Sequence, residues 1–353
     1  MAIFRYFGWA FLWTLLGLVL GGWLGFVETG GVTGLWKYLF ICCILGVLEI
    51  SLSFDNAIVN ARILSDMDKK WRKRFLTWGI VIAVFGMRII FPLIVVAFAA
   101  WISPWKALRL AVTAPHIYAE FMIKSHLGIV AFGGAFLLMV AMKYFFDAEK
   151  TIHWIGFLEK PMQKLAVLKG VETAFALAII LVFASLVDAS HSYQFLSAAI
   201  YGLLVFLLVE FLGKVLDASQ SSLTAAYKGG AGAFLYLEIL DASFSFDGVV
   251  GAFALSTNLF VIAIGLGIGA LYVRAMTIML VEKGTLAQYR YLEHGAFYAI
   301  FLLAIIMFMQ TLWHISEVIT GFIGAGFILA ALYASIVYNR RHAAQDSTHE
   351  AES

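Results

Sequence analysis

Long apolar runs separated by short polar segments dominate this chain. A helix that crosses a bilayer needs about 20 consecutive, mainly apolar residues. Windows of this kind predict ten transmembrane helices, at about 8–27, 34–62, 75–102, 126–147, 172–190, 193–213, 230–256, 258–282, 294–312 and 315–338. The polar end of the chain, 339–353, predicts a disordered cytoplasmic tail. We therefore expect an all-α polytopic membrane protein.

Composition supports this expectation, since 63% of the 353 residues are hydrophobic and 13% are charged. A soluble domain carries about 25% charged residues. The net charge of +2 gives no indication of nucleic-acid binding. The two cysteines, Cys42 and Cys43, are neighbours in an apolar run, where their side chains point apart and favour neither a disulfide nor a metal pair.

The distribution of basic residues predicts the orientation. If both termini are cytoplasmic, 17 of the 24 Lys and Arg residues lie on the inside, four lie outside and three lie within helices. Two connections are long. Residues 103–125 are expected outside, and residues 148–170 predict either a helix in the membrane interface or a solvated linker.

An internal repeat divides the chain into halves at about 1–190 and 193–338. The related motifs are Glu49-Ile-Ser-Leu-Ser-Phe-Asp55-Asn56 and Asp241-Ala-Ser-Phe-Ser-Phe-Asp247-Gly248. In each half a glycine precedes an arginine by nine residues, as Gly79 and Arg88 and as Gly265 and Arg274. Because each half has five crossings, the second enters the membrane from the opposite side. This inverted repeat is typical of secondary transporters, whose binding sites lie near mid-membrane.

The repeated motifs place acidic residues within apolar helices. An ionised carboxylate at the bilayer centre costs about 2.5–3.5 kcal/mol on insertion scales. Protonation, an arginine partner or a bound cation can compensate that cost. Arg88 and Arg274 lie mid-helix, and Arg62 follows Asp55 by two turns or belongs to the basic loop. The acids outnumber these arginines, which favours a cation site, although buried salt bridges remain the alternative. The acids are Glu49, Asp55, Glu238, Asp241 and Asp247.

The donors available to a cation are all oxygen atoms. The amide of Asn56 and four serines, Ser51, Ser53, Ser243 and Ser245, accompany the acids. Such donors favour Mg²⁺, Ca²⁺ or Mn²⁺ over Zn²⁺ or Cu²⁺. On an ideal helix Asp55 is rotated by about 120° from Glu49. Both can reach one ion if the helix is broken near Ser-x-Ser-Phe, and otherwise two ions or two helices must share the site.

Enzymatic activity is not expected. No Ser-His-Asp arrangement, phosphate-binding glycine loop or His-Glu-x-x-His motif occurs in the chain. An intramembrane aspartyl protease also uses two aspartates, but the paired motifs followed by arginine helices favour transport.

The first motif resembles the first signature of the TerC family of integral membrane proteins, and the second motif resembles its second signature. The similarity extends over about 40–310 and is greatest to a longer bacterial subgroup once catalogued as a domain of unknown function. The family falls in the lysine-exporter superfamily. The resemblance implies manganese efflux across the bacterial inner membrane, with metal-site residues at Glu49, Asp55, Asn56, Asp241 and Asp247. Gly248 departs from the serine common there, and Glu238 is an additional acid.

We therefore expect a divalent-cation exporter that works by alternating access, with Mn²⁺ as the favoured ion. Arg88 and Arg274 would neutralise or gate the acids, and exchange for protons is compatible with the carboxylates. The alternative is a membrane-stress or membrane-protein assembly partner that transports nothing. An exporter of small organic cations is a third interpretation.

Overall fold

The computed structural model describes residues 2–219, 230–313, 315 and 317–352. The side chains at 2–3, 80, 98–99, 213–219, 246–247, 250, 254, 317–318 and 342–352 lie outside this description, and so does His314. Throughout the described ranges the regular structure is helical, without strands.

The chain forms fifteen α-helices and one π-helix within these ranges. In chain order they are α1 (Ala2–Thr29), α2 (Val32–Leu52), α3 (Phe54–Asp66), α4 (Lys69–Val81), the π-helix (Ile82–Ile90), α5 (Phe91–Ala99), α6 (Pro104–Thr113), α7 (Pro115–Phe145), α8 (Gly156–Leu165), α9 (Val171–Leu186), α10 (Ala189–Ser219), α11 (Ala231–Leu255), α12 (Leu259–Glu282), α13 (Thr285–Gln288), α14 (Leu292–Gln310) and α15 (Glu317–Glu352).

Seven of the described helices are long and apolar enough to cross a membrane, namely α1, α2, α7, α10, α12, α14 and α15. An eighth span is formed if α4 is joined to the π-helix and α5, across a bend of 47°. Helix α9 is apolar but has only 16 residues, and α11 carries three acids along its length. The prediction of a multi-pass helical membrane protein is confirmed, and the number of ten crossings stays a prediction.

Several predicted segments contain more structure than their composition indicated. The second window is interrupted at Ser53, whose φ of −103° and ψ of 17° separate α2 from α3. Residues 103–125, which are expected to connect two helices outside the membrane, contain α6 and the first turns of α7. Residues 148–170 contain α8, as one of the two interpretations of that segment expects, and its position in the membrane interface stays a prediction. Helix α15 continues to Glu352 and thus through most of the tail for which the sequence predicts disorder.

Helix α12 lies among the helices that carry the repeated motifs, and it packs against α1, α2, α3 and the π-helix. Glycines allow its close approach to α2. A Cβ atom at Gly265 would lie 2.7 Å from the Cβ of Leu45, and one at Gly269 would lie 2.4 Å from the Cβ of Glu49. Contacts this short require the glycine, because a side chain there would displace α2. The polar residues of the motif are consequently held against the centre of the bundle.

Candidate functional site

A small polar cavity lies where α2, α3 and the π-helix of the first half meet α11 and α12 of the second. Its volume is about 30 Å³, similar to the share of one water molecule in the liquid. The side chains around it include two carboxylates, two arginines, two amides and three hydroxyls. The lining residues are Glu49, Ser53, Asn56, Asn60, Ala83, Arg88, Asp241, Ser245, Ala270, Val273, Arg274 and Thr277. We call this space the central cavity.

Glu49, on the last turn of α2, forms a buried ion pair with Arg88. The Nη2 group of Arg88 donates to Oε1 of Glu49, and each side chain is only 4% exposed. The hydroxyl of Ser53, at the helix break, donates to the same oxygen over 3.1 Å. The other oxygen, Oε2, lies 3.5 Å from the position that a Cβ at Gly248 would take. The negative charge of Glu49 is therefore balanced by an arginine from the same half of the chain.

The π-helix gives Arg88 a second contact. Its Nη1 group donates to the carbonyl oxygen of Ala83, five residues earlier, while Nε has no hydrogen-bond partner among the described residues. Helical turns with i to i+5 bonding are rare and are frequent at functional sites. The wider turn places the guanidinium between its own helix and Glu49.

Asp241, on α11, is bound across the boundary between the halves. The Nδ2 group of Asn60, on α3, donates to its Oδ1 over 2.7 Å. Three neutral oxygens on the wall of the central cavity lack a hydrogen-bond partner among the described residues: Oδ1 of Asn56, Oδ1 of Asn60 and Oγ of Ser245. Buried oxygens without a donor are costly unless another group binds them. A cation or a water molecule in the cavity would satisfy them.

Arg274 has a different environment from Arg88. Its Nη2 group donates to the carbonyl oxygen of Phe75 over 2.7 Å, and the guanidinium lies 3.8 Å from the centre of the Phe75 ring. A Cβ atom at Gly79 would lie 1.9 Å from Nη2, so a side chain there would displace the guanidinium of Arg274. The same Cβ would lie 2.9 Å from Oε1 of Glu238, whose two oxygens have no hydrogen-bond partner among the described residues.

Asp55 points away from the central cavity and into a second one. Its Oδ1 accepts from the backbone N–H of Asn56 over 2.9 Å, and Oδ2 lies 3.9 Å from the position of a Cβ at Gly324. This second cavity also has a volume of about 30 Å³ and includes Thr320, whose buried Oγ1 has no partner in the described part of the chain. We call it the Asp55 cavity.

The predicted set of ligands is therefore divided. The helix break near Ser-x-Ser-Phe is present at Ser53, but the carboxylates of Glu49 and Asp55 still face different cavities. A break of one residue leaves most of the rotation of about 120° between them. Helix α11 runs without a break through Asp247 and Gly248. The side chain of Asp247 lies outside the described ones.

The four serines are divided as well. Ser53 and Ser245 line the central cavity. Ser51 lines the Asp55 cavity and donates to the carbonyl oxygen of Val47, whereas Ser243 donates to that of Ile239. Arg62 pairs with Asp66 and with Glu293, at 3.0 Å, which identifies it as a partner of these acids and not of Asp55.

Three polar residues at these cavities were not anticipated from the sequence: Asn60, Thr277 and Thr320. Asn60 follows Asn56 by four residues, so its place on the same face of α3 was available as a signal. The repeat concealed it, because the position equivalent to Asn60 in the second motif is Ala252.

Within the described side chains, no three His, Cys, Asp or Glu residues come together in a group that could hold a metal ion. The central cavity offers two carboxylates, of Glu49 and Asp241, together with neutral oxygens. A cation there would therefore depend on amide and hydroxyl oxygens and on retained water, as hard divalent cations commonly do.

These features define a multi-pass helical membrane protein with a polar site between two related motifs. Residues 54–342 match a family model described as "Protein of unknown function (DUF475)", and the chain belongs to this family. No curated protein and no solved structure matched the chain.

Proposed function

We propose that this protein exports a divalent metal cation, with Mn²⁺ as the favoured substrate, across a bacterial inner membrane. The observation that carries the proposal is the central cavity, where buried oxygen donors of both motifs meet within an apolar bundle. Isolated polar groups at such depth are costly and mark ion pathways in membrane proteins. The resemblance of both motifs to the TerC signatures supports manganese among the hard cations.

In this proposal the ion binds between Asp241 and Glu49. The three neutral oxygens without a donor complete its surroundings, and they belong to Asn56, Asn60 and Ser245. Oxygen donors of this kind bind Mn²⁺, Mg²⁺ and Ca²⁺ in preference to softer metals. No enzymatic step is involved, and the metal is a substrate, not a resident cofactor.

The arginines supply the means of release. Two guanidiniums and two carboxylates border the central cavity, so their formal charges balance. A cation can approach Glu49 only when Arg88 moves off Oε1, and the return of Arg88 would expel the cation. Arg274, which is held by the carbonyl of Phe75, is the corresponding group of the second half.

Alternating access of two inverted five-helix halves is the motion that we propose to drive this exchange. Ten crossings are part of this proposal, with both termini in the cytoplasm as the distribution of lysine and arginine favours. The Asp55 cavity would hold the ion before or after the central cavity, with Asp247 of the second motif in the equivalent role. Glu238 would raise the local negative charge, and exchange for protons is part of the proposal.

Transport by purified protein in vesicles tests this function. Vesicles loaded with a manganese-sensitive dye, with and without a pH gradient, are compared for the wild type, Asp241→Asn and Asp66→Asn. Asp66 is a matched control because it is exposed and paired with Arg62. We expect wild type and Asp66→Asn to move Mn²⁺, and Asp241→Asn to be slower by about 100-fold, since a lost ligand costs at least as much as a lost outer partner.

Other outcomes would reject parts of the proposal. Equal flux through wild type and Asp241→Asn would show that the central cavity does not carry the ion. If the pH gradient does not change the Mn²⁺ flux, only the proton-exchange part of the proposal is rejected. If no cation moves, the alternative of a membrane-stress or assembly partner gains support, and it predicts that Asp241→Asn keeps cellular activity.

A further inference from the structure

The connection between α7 and α9 carries its charges in an unusual arrangement. The connection, residues 146–170, contains four lysines and three acids; Asp147 and Glu149 lie at its start, and Glu159 is the one acid of α8 and the residues that follow it up to 170. That acid is completely buried. Because Glu159 points inward, it does not neutralise the lysines on the outer surface of 156–170.

Glu159 is held inside by groups on three sides. Its Oε1 accepts from the backbone N–H groups of Trp154 and Ile155, at 3.3 and 3.1 Å, and from the hydroxyl of Tyr298 on α14, at 3.1 Å. Its Oε2 pairs with the ammonium of Lys150 at 3.0 Å. Burial acts to raise the pKa of the Glu159 carboxyl, but these donors outweigh it and lower that pKa below its ordinary value.

Two histidines and an aromatic ring complete the surroundings of Glu159 and Lys150. His153 and His294 each place a ring nitrogen 3.5 Å from Oε2 of Glu159. The ammonium of Lys150 lies 3.9 Å from the centre of the Tyr144 ring on α7. These contacts join the connection to α7 and α14, and Glu159 balances the charge of the buried Lys150 ammonium.

The outer surface is consequently positive and apolar at once. Lys160, Lys164 and Lys169 are exposed, and no exposed acid lies between 156 and 170, since the exposed Asp147 and Glu149 precede α8. Among them Phe157 is 77% exposed and Val167 is 80% exposed. Apolar side chains and lysines at the end of a membrane bundle suit the boundary between headgroups and acyl chains, where lysine stems reach toward phosphate.

We propose that this face, α8 together with 166–169, binds the headgroups of anionic phospholipids. The three exposed lysines would contact the lipid phosphates, while Phe157 and Val167 enter the acyl region. Charge complementarity favours this occupant over zwitterionic lipid, because polybasic segments next to a membrane are attracted to anionic leaflets. The inference is independent of the proposed transport activity.

Lipid binding by the full-length protein in detergent tests the proposal. Phosphatidylglycerol and phosphatidylcholine are titrated separately, and bound lipid is counted by native mass spectrometry at low and high salt. The test variant is Lys160→Gln with Lys164→Gln and Lys169→Gln. The matched control removes three exposed charges near α6, as Lys106→Gln with Arg109→Gln and Lys124→Gln.

We expect wild type and control to bind phosphatidylglycerol, and the test variant to bind it on the order of 100-fold more weakly, since each lysine contributes about a factor of five. Inorganic phosphate at equal concentration should not compete. A variant with arginine at the same three positions should bind like wild type, which separates lost charge from misfolding. Equal binding of both lipids by wild type, or unchanged binding by the glutamine variant, would overturn the proposal.

Discussion

The two motifs differ in structure although their sequences agree. In the first, the helix is interrupted at Ser53 and Glu49 is neutralised by Arg88. In the second, α11 is continuous and Asp241 is bound by the neutral amide of Asn60, while Arg274 is bound to a backbone carbonyl. An acid and an arginine thus form a direct ion pair in the first half, whereas the acid and the arginine of the second half bind other groups.

This difference indicates where a cation would bind most readily. Glu49 already has a cationic partner, so a metal must compete with a guanidinium there. Asp241 has an amide donor and borders three oxygens without donors. In the proposed transport, alternating access would exchange these arrangements, with Arg274 then nearer to its acid and Arg88 released. The following predictions test the comparison.

Arg88→Gln should have the largest effect on stability. Removing one partner of a buried ion pair leaves the other charge unpaired and costs about 3–5 kcal/mol. Arg274→Gln should cost less, about 1.5–3 kcal/mol, because the hydrogen-bond acceptor of Arg274 is a neutral carbonyl and the carboxylates of Asp241 and Glu238 act on its charge without a direct ion pair. Thermal unfolding in detergent measures both, and adding Glu49→Gln should recover part of the loss from Arg88→Gln.

Arg5→Gln is the control. It removes an exposed pair with Glu282 and should change stability by less than about 1 kcal/mol. Equal costs for the two buried arginines would contradict the comparison.

Gly269→Ala should destabilise the contact between α12 and α2. The new methyl group would meet the Cβ of Glu49 at 2.4 Å and the carbonyl oxygen of Gly46 at 2.7 Å. Overpacking of this kind costs about 1–3 kcal/mol. Gly248→Ala is the matched control, because its Cβ would meet Glu49 at an ordinary 3.5 Å. The same unfolding midpoint for both variants would show that the approach of α12 to Glu49 is looser than described.

Asn60→Ala should weaken Mn²⁺ binding by about 10-fold, the lower end of what removal of an orienting partner costs. It removes both the donor to Asp241 and one of the neutral oxygens of the central cavity. Binding to purified protein can be followed by calorimetry. Asn339→Ala removes an exposed amide that donates to the carbonyl of Gln288 and should leave the affinity unchanged. If Asn60→Ala binds like wild type, Asp241 does not need this donor and the ion lies elsewhere.

Ser53→Ala should have the smallest effect, a loss of about 1 kcal/mol, because it removes one hydrogen bond to Glu49 while Arg88 remains. Ser245 is its equivalent in the second motif, and its hydroxyl has no partner among the described residues. Ser245→Ala should therefore leave the unfolding temperature nearly unchanged. A larger loss for Ser245→Ala would mean that the second motif is the more tightly bonded one.

Much of the architecture could be predicted from periodicity and spacing. The assignment to membrane helices follows from the apolar runs. The pattern of 148–170 is compatible with a helix and with a linker, and a break near Ser53 is one of several ways for Glu49 and Asp55 to share a site; the structure contains the helix and the break. The number of helices that are long and apolar enough to cross a membrane is smaller than the ten predicted, since α11 carries three acids and α9 is short. Spacing alone could not show that Asp55 lines a different cavity from Glu49. The backbone conformation at Ser53 sets the rotation between these two side chains, and the sequence does not give that conformation.

By itself the sequence determined which residue types had to be buried together. Apolar runs of about 20 residues leave the bilayer as their solvent, and acids within them require partners. Only the tertiary structure decided which partner each acid obtained. Glu49 meets Arg88, Asp241 meets Asn60, and Glu159 is turned inward to leave a positive outer face. These pairings join residues up to 181 positions apart, and packing of helices, not local spacing, brings them into contact.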